Sequence, residues 1–317
     1  MLKDYEKPKA EKKEKLKAEI KGLQAHFLLQ QQKLMEAGLP VIVLVEGWSA
    51  AGKGHLLTEL ISEIDPRFYN VVSPAVTSEK ESRYPFLYPY AKAIPENGKM
   101  LFMDSGWMDN VVRKYVRHEI TDRQYAERVR SVNEFERQLR DGGYVIIKLF
   151  VHIDEQTQFE RFAELREYAE TEWRVTDEDI WQHKEYDRFL NAYDDFMEKT
   201  DKIVRWHVLN GEKHRMIVRD SLKRIVETID EALEKGRYCG EPFKEKFPLL
   251  NMPKLAEVDL SPAIDDDEYK DELKELQKRL DLLHNVMYRK KIPVVLCYEG
   301  WDAAGKGGNI RRVTNAL

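Results

Sequence analysis

Val41-Ile42-Val43-Leu44-Val45-Glu46-Gly47-Trp48-Ser49-Ala50-Ala51-Gly52-Lys53-Gly54 decides how this chain folds. Residues 41–45 are apolar and mostly β-branched, which reads as a buried strand. A glycine-bounded turn follows, then a helical pattern over residues 55–64. Strand, G-x-x-x-x-G-K loop and helix make a phosphate-cradling unit. Gly47 and Gly52 allow a tight turn that points several N–H groups inward. The helix N-terminus adds partial positive charge, and Lys53 an ammonium for outer phosphate oxygens. Gly54 stands where such loops usually carry a Ser or Thr for Mg²⁺, so a metal here needs a carboxylate from elsewhere. A plain glycine turn after a core strand ranks below phosphate binding, because it gives no reason for Lys53.

The stretch occurs twice. Residues 292–307 repeat it, with Gly300, Gly305, Lys306 and Gly307 at the positions of Gly47, Gly52, Lys53 and Gly54. The offset of 253 residues also carries Leu23-Gln24 onto Leu276-Gln277 and Pro40 onto Pro293, so the preceding helix belongs to the repeat. A unit this long is a duplicated domain rather than a short solenoid repeat. The third loop position is Ser49 in the first copy and Asp302 in the second.

Bulk properties narrow the function. At 317 residues the chain accommodates one α/β domain and part of another. A net charge of −5 argues against a general nucleic-acid binder, so a polyanionic substrate would need a local basic patch. The cysteines, Cys239 and Cys297, are too few for a disulfide framework, and Cys297 is expected in the core of a strand. The Lys/Glu-rich N-terminus carries no signal-peptide pattern, and no apolar run reaches membrane-spanning length. A cytoplasmic protein is the expectation.

The rest of the chain alternates. Residues 2–35 are helical in character, with Leu16, Ile20, Leu23, Phe27 and Leu28 near one stripe. Residues 70–76 read as a second strand, and the aromatic, proline-rich residues 77–90 as an ordered functional loop. Residues 99–104 form a third strand ending in Asp104, where P-loop kinases place a carboxylate for Mg²⁺; a helix cap is the alternative. Residues 111–140 read as helix, with Arg113 and Arg117 on one face, either a polyphosphate track or a solvated surface. Residues 144–151 are a fourth strand, and His152 at its end reads as packing rather than ligation. The polar sector 155–184, with Arg161, Arg166, Trp173 and Arg174, corresponds to the lid of P-loop kinases, or to a solvated helix pair. Tyr186, Phe189, Leu190, Tyr193 and Met197 form a core stripe, residues 203–209 a fifth strand, and Leu222, Ile225, Val226, Ile229 and Leu233 the stripe of a closing helix. The expected fold is α/β, a P-loop kinase-like three-layer sandwich with a five-stranded parallel sheet and a helical lid. The expected domains are 1–238, a linker over 239–267, and the start of a second P-loop domain over 268–317. The apolar strand at 294–298 has no sheet of its own to join, so it is expected to pack on the first domain's edge, to pair with another chain or to be poorly ordered, and a homo-oligomer is expected.

These motifs together resemble the polyphosphate kinase 2 family, and within it the tandem-domain polyphosphate:AMP phosphotransferases. The likeness covers the helix before the loop, the loop ending in Gly54, the Pro85-Phe86-Leu87-Tyr88 segment, Asp104 to Trp107, and the lid sector. It implies phosphoryl transfer between polyphosphate and an adenine nucleotide with Mg²⁺, AMP being the acceptor and ADP the product. It also implies that the third loop position carries an Asp working with Mg²⁺, which Asp302 matches and Ser49 does not. The family pattern D-R-S-W-Y-x-R reads Asp104-Ser105-Gly106-Trp107-Met108-Asp109-Asn110 here, without either arginine. The basic-basic-Trp-basic lid run reads Thr171-Glu172-Trp173-Arg174. On this resemblance, catalysis rests on Asp302, Lys306 and Asp104, with Asp104 and Asp302 as metal carboxylates and Arg166 and Arg174 as lid cations. Phosphate binding falls to Gly47, Gly52, Lys53, Gly54, Gly300, Gly305 and Gly307. The first domain is expected to be a degenerate copy, and the second to lack its Asp-Arg-Ser-Trp strand and lid within this chain. The competing readings are a non-catalytic structural or regulatory phosphate-binding domain and an ATP-dependent nucleotide kinase.

Overall fold

A computed structural model of the chain describes residues 11–73, 83–236 and 254–317, together with Leu2 and Tyr5. The chain divides into two units, Met1–Pro242 and Phe243–Leu317. The first runs α1 (Lys13–Ala37), β1 (Val41–Gly47), α2 (Lys53–Ile61), β2 (Tyr69–Val72), α3 (Tyr88–Ala93), β3 (Met100–Asp104), α4 (Trp107–Val116), α5 (Asp122–Asp141), β4 (Val145–His152), α6 (Glu155–Glu167), α7 (Ala169–Glu172), α8 (Asp177–Lys184), α9 (Tyr186–Thr200), β5 (Trp206–Asn210) and α10 (His214–Lys235). The second holds α11 (Asp266–Lys290) and α12 (Lys306–Thr314).

The five strands form one parallel sheet in the order β2-β3-β1-β4-β5. Every residue of β1 is buried, as a central strand covered on both faces requires. Helices α1, α2 and α10 pack on one face and α4, α5 and α9 on the other. The register sets Asp104 beside Val45 and Gly47 beside Val151, so the β1 and β3 ends meet at the point where strand order reverses. Open α/β sheets bind their ligands in that crevice.

One buried ion pair crosses the second layer. Lys148 on β4 donates to both Glu136 carboxylate oxygens on α5 at 3.1 and 2.9 Å, and to the Thr200 carbonyl at 2.7 Å. Glu136 also accepts from Trp107 Nε1 at 3.0 Å, which links the start of α4 to the same pair. Removing one partner of such a pair strands a buried charge, at a cost of roughly 3–5 kcal/mol.

Several boundaries differ from the sequence reading. The helix expected over 111–140 is two helices: His118 takes a left-handed φ of 58°, and Thr121 with Gln124 makes a capping box that starts α5. Helix α1 begins at Lys13, and Leu28 is 45% exposed, off the buried stripe. Strand β2 spans Tyr69–Val72; residues 74–82, with much of the expected aromatic loop, lie outside the described residues. Strand β5 begins at Trp206, whose N–H donates to the Asp201 carboxylate at 2.6 Å and ends the preceding turn. Cys239 and most of the expected linker lie outside the described residues.

The second unit keeps one interhelical contact of the first. Gln24 Nε2 donates to the Glu59 carbonyl at 3.3 Å, and Gln277 Nε2 donates to the Arg312 carbonyl at 2.8 Å, both ends displaced by the same 253 residues. Residues 294–298, expected as a strand, take no regular structure, and Val295 is 84% exposed. A strand exists through pairing with a neighbour, and this segment has none among the described residues. Cys297 is accordingly exposed rather than in a core.

Candidate active site

Strand β1 ends against β4 so closely that a Cβ on Gly47 would lie 2.3 Å from the Val151 carbonyl oxygen. Only glycine fits there. The chain then turns through Ala50 (φ 59°) and Gly52 (φ 87°) into the first turn of α2. Lys53 curls back over this loop, its ammonium donating to the Gly47 and Trp48 carbonyls at 3.2 and 3.0 Å. Trp48 is fully buried, stacked on Tyr186 at 4.0 Å, and its Nε1 donates to His152 Nδ1 at 3.0 Å. His152 is thus the packing residue that its place at the strand end suggested.

Helices α6 and α8 are fastened to the loop. The Ser49 N–H donates to Gln182 Oε1 at 2.8 Å, and Gln158 Nε2 donates to the Ser49 carbonyl and to Gln182 Oε1, each at 3.1 Å. Both glutamines are fully buried. Arg161 donates to the Ala50 carbonyl at 2.9 Å and the Gly211 carbonyl at 2.6 Å, joining the loop to the turn after β5. The exposed part of this sector is α7 with the turn after it, where Trp173 is 70% exposed and Arg174 lies over its ring at 5.5 Å.

In front of the loop lies a cleft of about 680 Å³. Lys53, Gly52, Gly54, Asp104 and Arg174 line it, with Arg113 and Arg117. Arg166 is absent from that lining. Phe162 and Leu165 turn toward the cleft from α6, and one further residue of helical rotation carries Arg166 to the exposed side. Asp104 ends β3 without an ion pair or side-chain hydrogen bond among the described residues, so one carboxylate faces the same space as Lys53. A single carboxylate, with phosphate oxygens and water, is a ligand set that suits Mg²⁺.

The described part of the cleft carries no excess of positive charge. Among the described lining residues five side chains are cationic and five anionic. Arg113 Nε lies 2.8 Å from both oxygens of Asp109, and Arg117 pairs with Glu178 while resting 4.4 Å over the Trp181 ring. Burial, the largest effect, would depress the Arg113 guanidinium, but Asp109 together with Tyr193 and Asp179 outweighs it and leaves it raised. These two arginines, read from sequence as a possible anion track, are already neutralised.

Glu46 was not singled out from sequence. It is fully buried at the end of β1, and its Oε1 accepts from the Gly106 N–H at 2.8 Å and the Met108 N–H at 3.1 Å, holding the start of α4 beside Asp104. Burial, then the nearby Asp109, pushes its pKa up to about 8. A signal existed: the second copy repeats the carboxylate as Glu299 inside an apolar run. Gln158 and Gln182 gave no signal, since glutamine on a polar helix is unremarked.

The second loop has the same backbone shape. Gly300, Ala303 and Gly305 have φ of 157°, 60° and 79°, against 137°, 59° and 87° for Gly47, Ala50 and Gly52. Lys306 donates to the Gly300 and Trp301 carbonyls, both at 2.7 Å, as Lys53 does in the first copy. Gly307 sits in the first turn of α12, and Asp302 is exposed without an ion pair or side-chain hydrogen bond among the described residues.

Known proteins share this arrangement. The polyphosphate kinase 2 (PPK2) family model matches residues 10–237 and 263–317. The polyphosphate:AMP phosphotransferase of Pseudomonas aeruginosa is 30% identical over 99% of this chain and 62% of its own length. That of Acinetobacter johnsonii is 25% identical over 93% of this chain and 60% of its own. The chain therefore spans about three fifths of the length of these relatives. A crystal structure of a polyphosphate kinase 2 from Pseudomonas aeruginosa superposes with a TM-score of 0.80 at 26% identity, covering all of this chain and 63% of that one. One from Arthrobacter aurescens shares the fold, with a TM-score of 0.68 at 20% identity over 78% of this chain and 86% of that one. On the extent of the family match, the chain belongs to the polyphosphate kinase 2 family.

Proposed function

We propose that this chain is the first P-loop domain and the opening of the second of a polyphosphate:AMP phosphotransferase, which moves a phosphoryl group from polyphosphate to AMP and yields ADP. The relatives' activities support the reaction class. In this reading the chemistry belongs to the second copy, and the first binds polyphosphate weakly with little or no turnover. One observation carries this: both copies build the same loop, but only the second offers a carboxylate at its third position.

The roles follow from charge. Lys53 and Lys306 turn from the loop carbonyls to the outer oxygens of a polyphosphate chain, and the loop amides hold the inner ones. Asp302 in the second copy and Asp104 in the first are the carboxylates that would each hold Mg²⁺ beside their own loop, where the ion when bound would screen the negative charge of the phosphates. Arg174 is the lid cation of the first copy and would add positive charge over phosphate bound in that cleft. Phosphoryl transfer rests almost wholly on such positioning and neutralisation, so a cleft whose described lining residues carry as many anionic as cationic side chains suits it poorly. A cytoplasmic setting and assembly into a homo-oligomer complete the proposal. No helix among the described residues is long and apolar enough to cross a membrane.

The test is ADP formation by this chain from AMP, Mg²⁺ and short polyphosphate, alongside titration of polyphosphate against wild type, Lys53→Ala and Lys306→Ala. Turnover near background, with each variant weakening binding, is expected. Robust turnover that Lys53→Ala abolishes would return catalysis to the first domain. Equal affinity in all three proteins would reduce both loops to structural turns, and turnover with ATP but not polyphosphate would replace the donor.

A further inference from the structure

Helix α2 carries a second cluster, distinct from the phosphate-facing loop. His55 and Glu59 are four residues apart and share one helix face. His214 opens α10, and its ring stacks on that of His55 with centroids 3.9 Å apart and planes 17° from parallel. One ligand atom from each of His55, Glu59 and His214 lies within 4.8 Å of the others. They border a cavity of about 460 Å³, lined also by Glu63 and by Lys17 and Lys21 of α1.

The chemistry selects among cations. Two imidazoles and one carboxylate match zinc and its first-row neighbours, whereas Mg²⁺ and Ca²⁺ prefer oxygen throughout. Lys17 and Lys21 oppose a cation held by charge alone, so imidazole lone pairs must supply the affinity. Tetrahedral ligands about 2.0 Å from zinc sit roughly 3.3 Å apart, so the ligand atoms must draw together by ~1 Å and the stacked rings must tilt until their in-plane lone pairs converge on the ion.

The cluster is private to the first copy. The 253-residue offset puts Gly308 and Arg312 at the positions of His55 and Glu59. The site is therefore no part of the duplicated phosphate chemistry. It does join that machinery mechanically. The first turn of α2 holds Lys53, and the turn leading to α10 holds Gly211, whose carbonyl accepts from the same Arg161 that grips the loop at Ala50. An ion between His55 and His214 would tie these two ends together.

We propose that His55, Glu59 and His214 bind one divalent first-row transition ion of the zinc class, with an open fourth position, and that its occupancy latches the start of α2 to the start of α10. The test is Zn²⁺ binding by calorimetry to the full chain carrying Cys239→Ser and Cys297→Ser, which removes the thiols. His55→Ala, His214→Ala and, as control, His284→Ala are made in that background. One ion per chain is expected, weakened at least tenfold by either ligand variant and less than twofold by His284→Ala. Zn²⁺ should also raise the melting temperature of the parent and not of the ligand variants. Because His55 is exposed, His55→Ala folds and decides the matter by itself. Absence of stoichiometric binding to the parent, or unchanged affinity in His55→Ala, overturns the proposal.

Discussion

Arg117 shows at the scale of one residue how a cleft cation can be already occupied. Its guanidinium faces the space in front of the loop, yet it is held by Glu178 and rests on Trp181. Glu178 also lies 3.9 Å from Arg113. A polyanion must displace this carboxylate or bind against it. Glu178→Gln leaves the cleft one charge more positive and keeps the side-chain volume. We expect it to tighten tripolyphosphate binding to the first unit about threefold to tenfold at low ionic strength, with the gain shrinking as salt rises. Calorimetry in a Lys306→Ala background isolates the first loop. Unchanged affinity would mean that charge cancellation is not what limits this cleft.

Among the elements, β1 and α4 depend on one carboxylate. Glu46 serves as a distant cap for α4, accepting from two amides that the helix itself leaves without partners. Burial first, and Asp109 second, raise its pKa from an ordinary 4.5 to about 8, while the two amides and Lys53 pull the other way. The folded protein therefore keeps a proton there between about pH 4.5 and 8, which the unfolded chain has released. Stability from this group is full below pH 4.5, declines as pH rises through that window at up to ~1.4 kcal/mol per unit, and is level above it. Denaturant midpoints from pH 5.5 to 8 should fall more steeply for wild type than for Glu46→Gln, which carries no proton to lose. Parallel slopes would remove the pKa argument. Glu46→Ala should lose roughly 2–4 kcal/mol near pH 5, where two buried amides lose their acceptor, and less as pH rises toward 8.

Across the whole molecule the two units differ in what stabilises them. The first is built on a buried sheet, whereas α11 and α12 contain no buried residue. Protection from hydrogen exchange follows burial and cooperativity. Amides of β1, β3 and β4 should exchange only by global opening, and those of α11 and α12 orders of magnitude faster. Equal protection across the units would show that the second has found a partner that buries it. The same contrast separates what sequence determined from what folding decided. Residues 41–54 alone announced strand, glycine turn and helix, because those signals are local: β-branched burial, glycine dihedrals and a lysine one step past the turn. The second loop keeps its dihedrals on an exposed unit, which is direct evidence of local encoding. Hydrophobic period likewise placed the five strands and the helical layers. The broken helix at His118 and the exposed Cys297 escaped, since periodicity does not mark a capped restart and a strand needs a neighbour. The partner of each charge was decided only in three dimensions. Gln182 on Ser49, Glu178 on Arg117, Glu46 beneath α4 and His214 against His55 meet across dozens of residues, and no one-dimensional pattern records which polar groups a fold brings within hydrogen-bond reach.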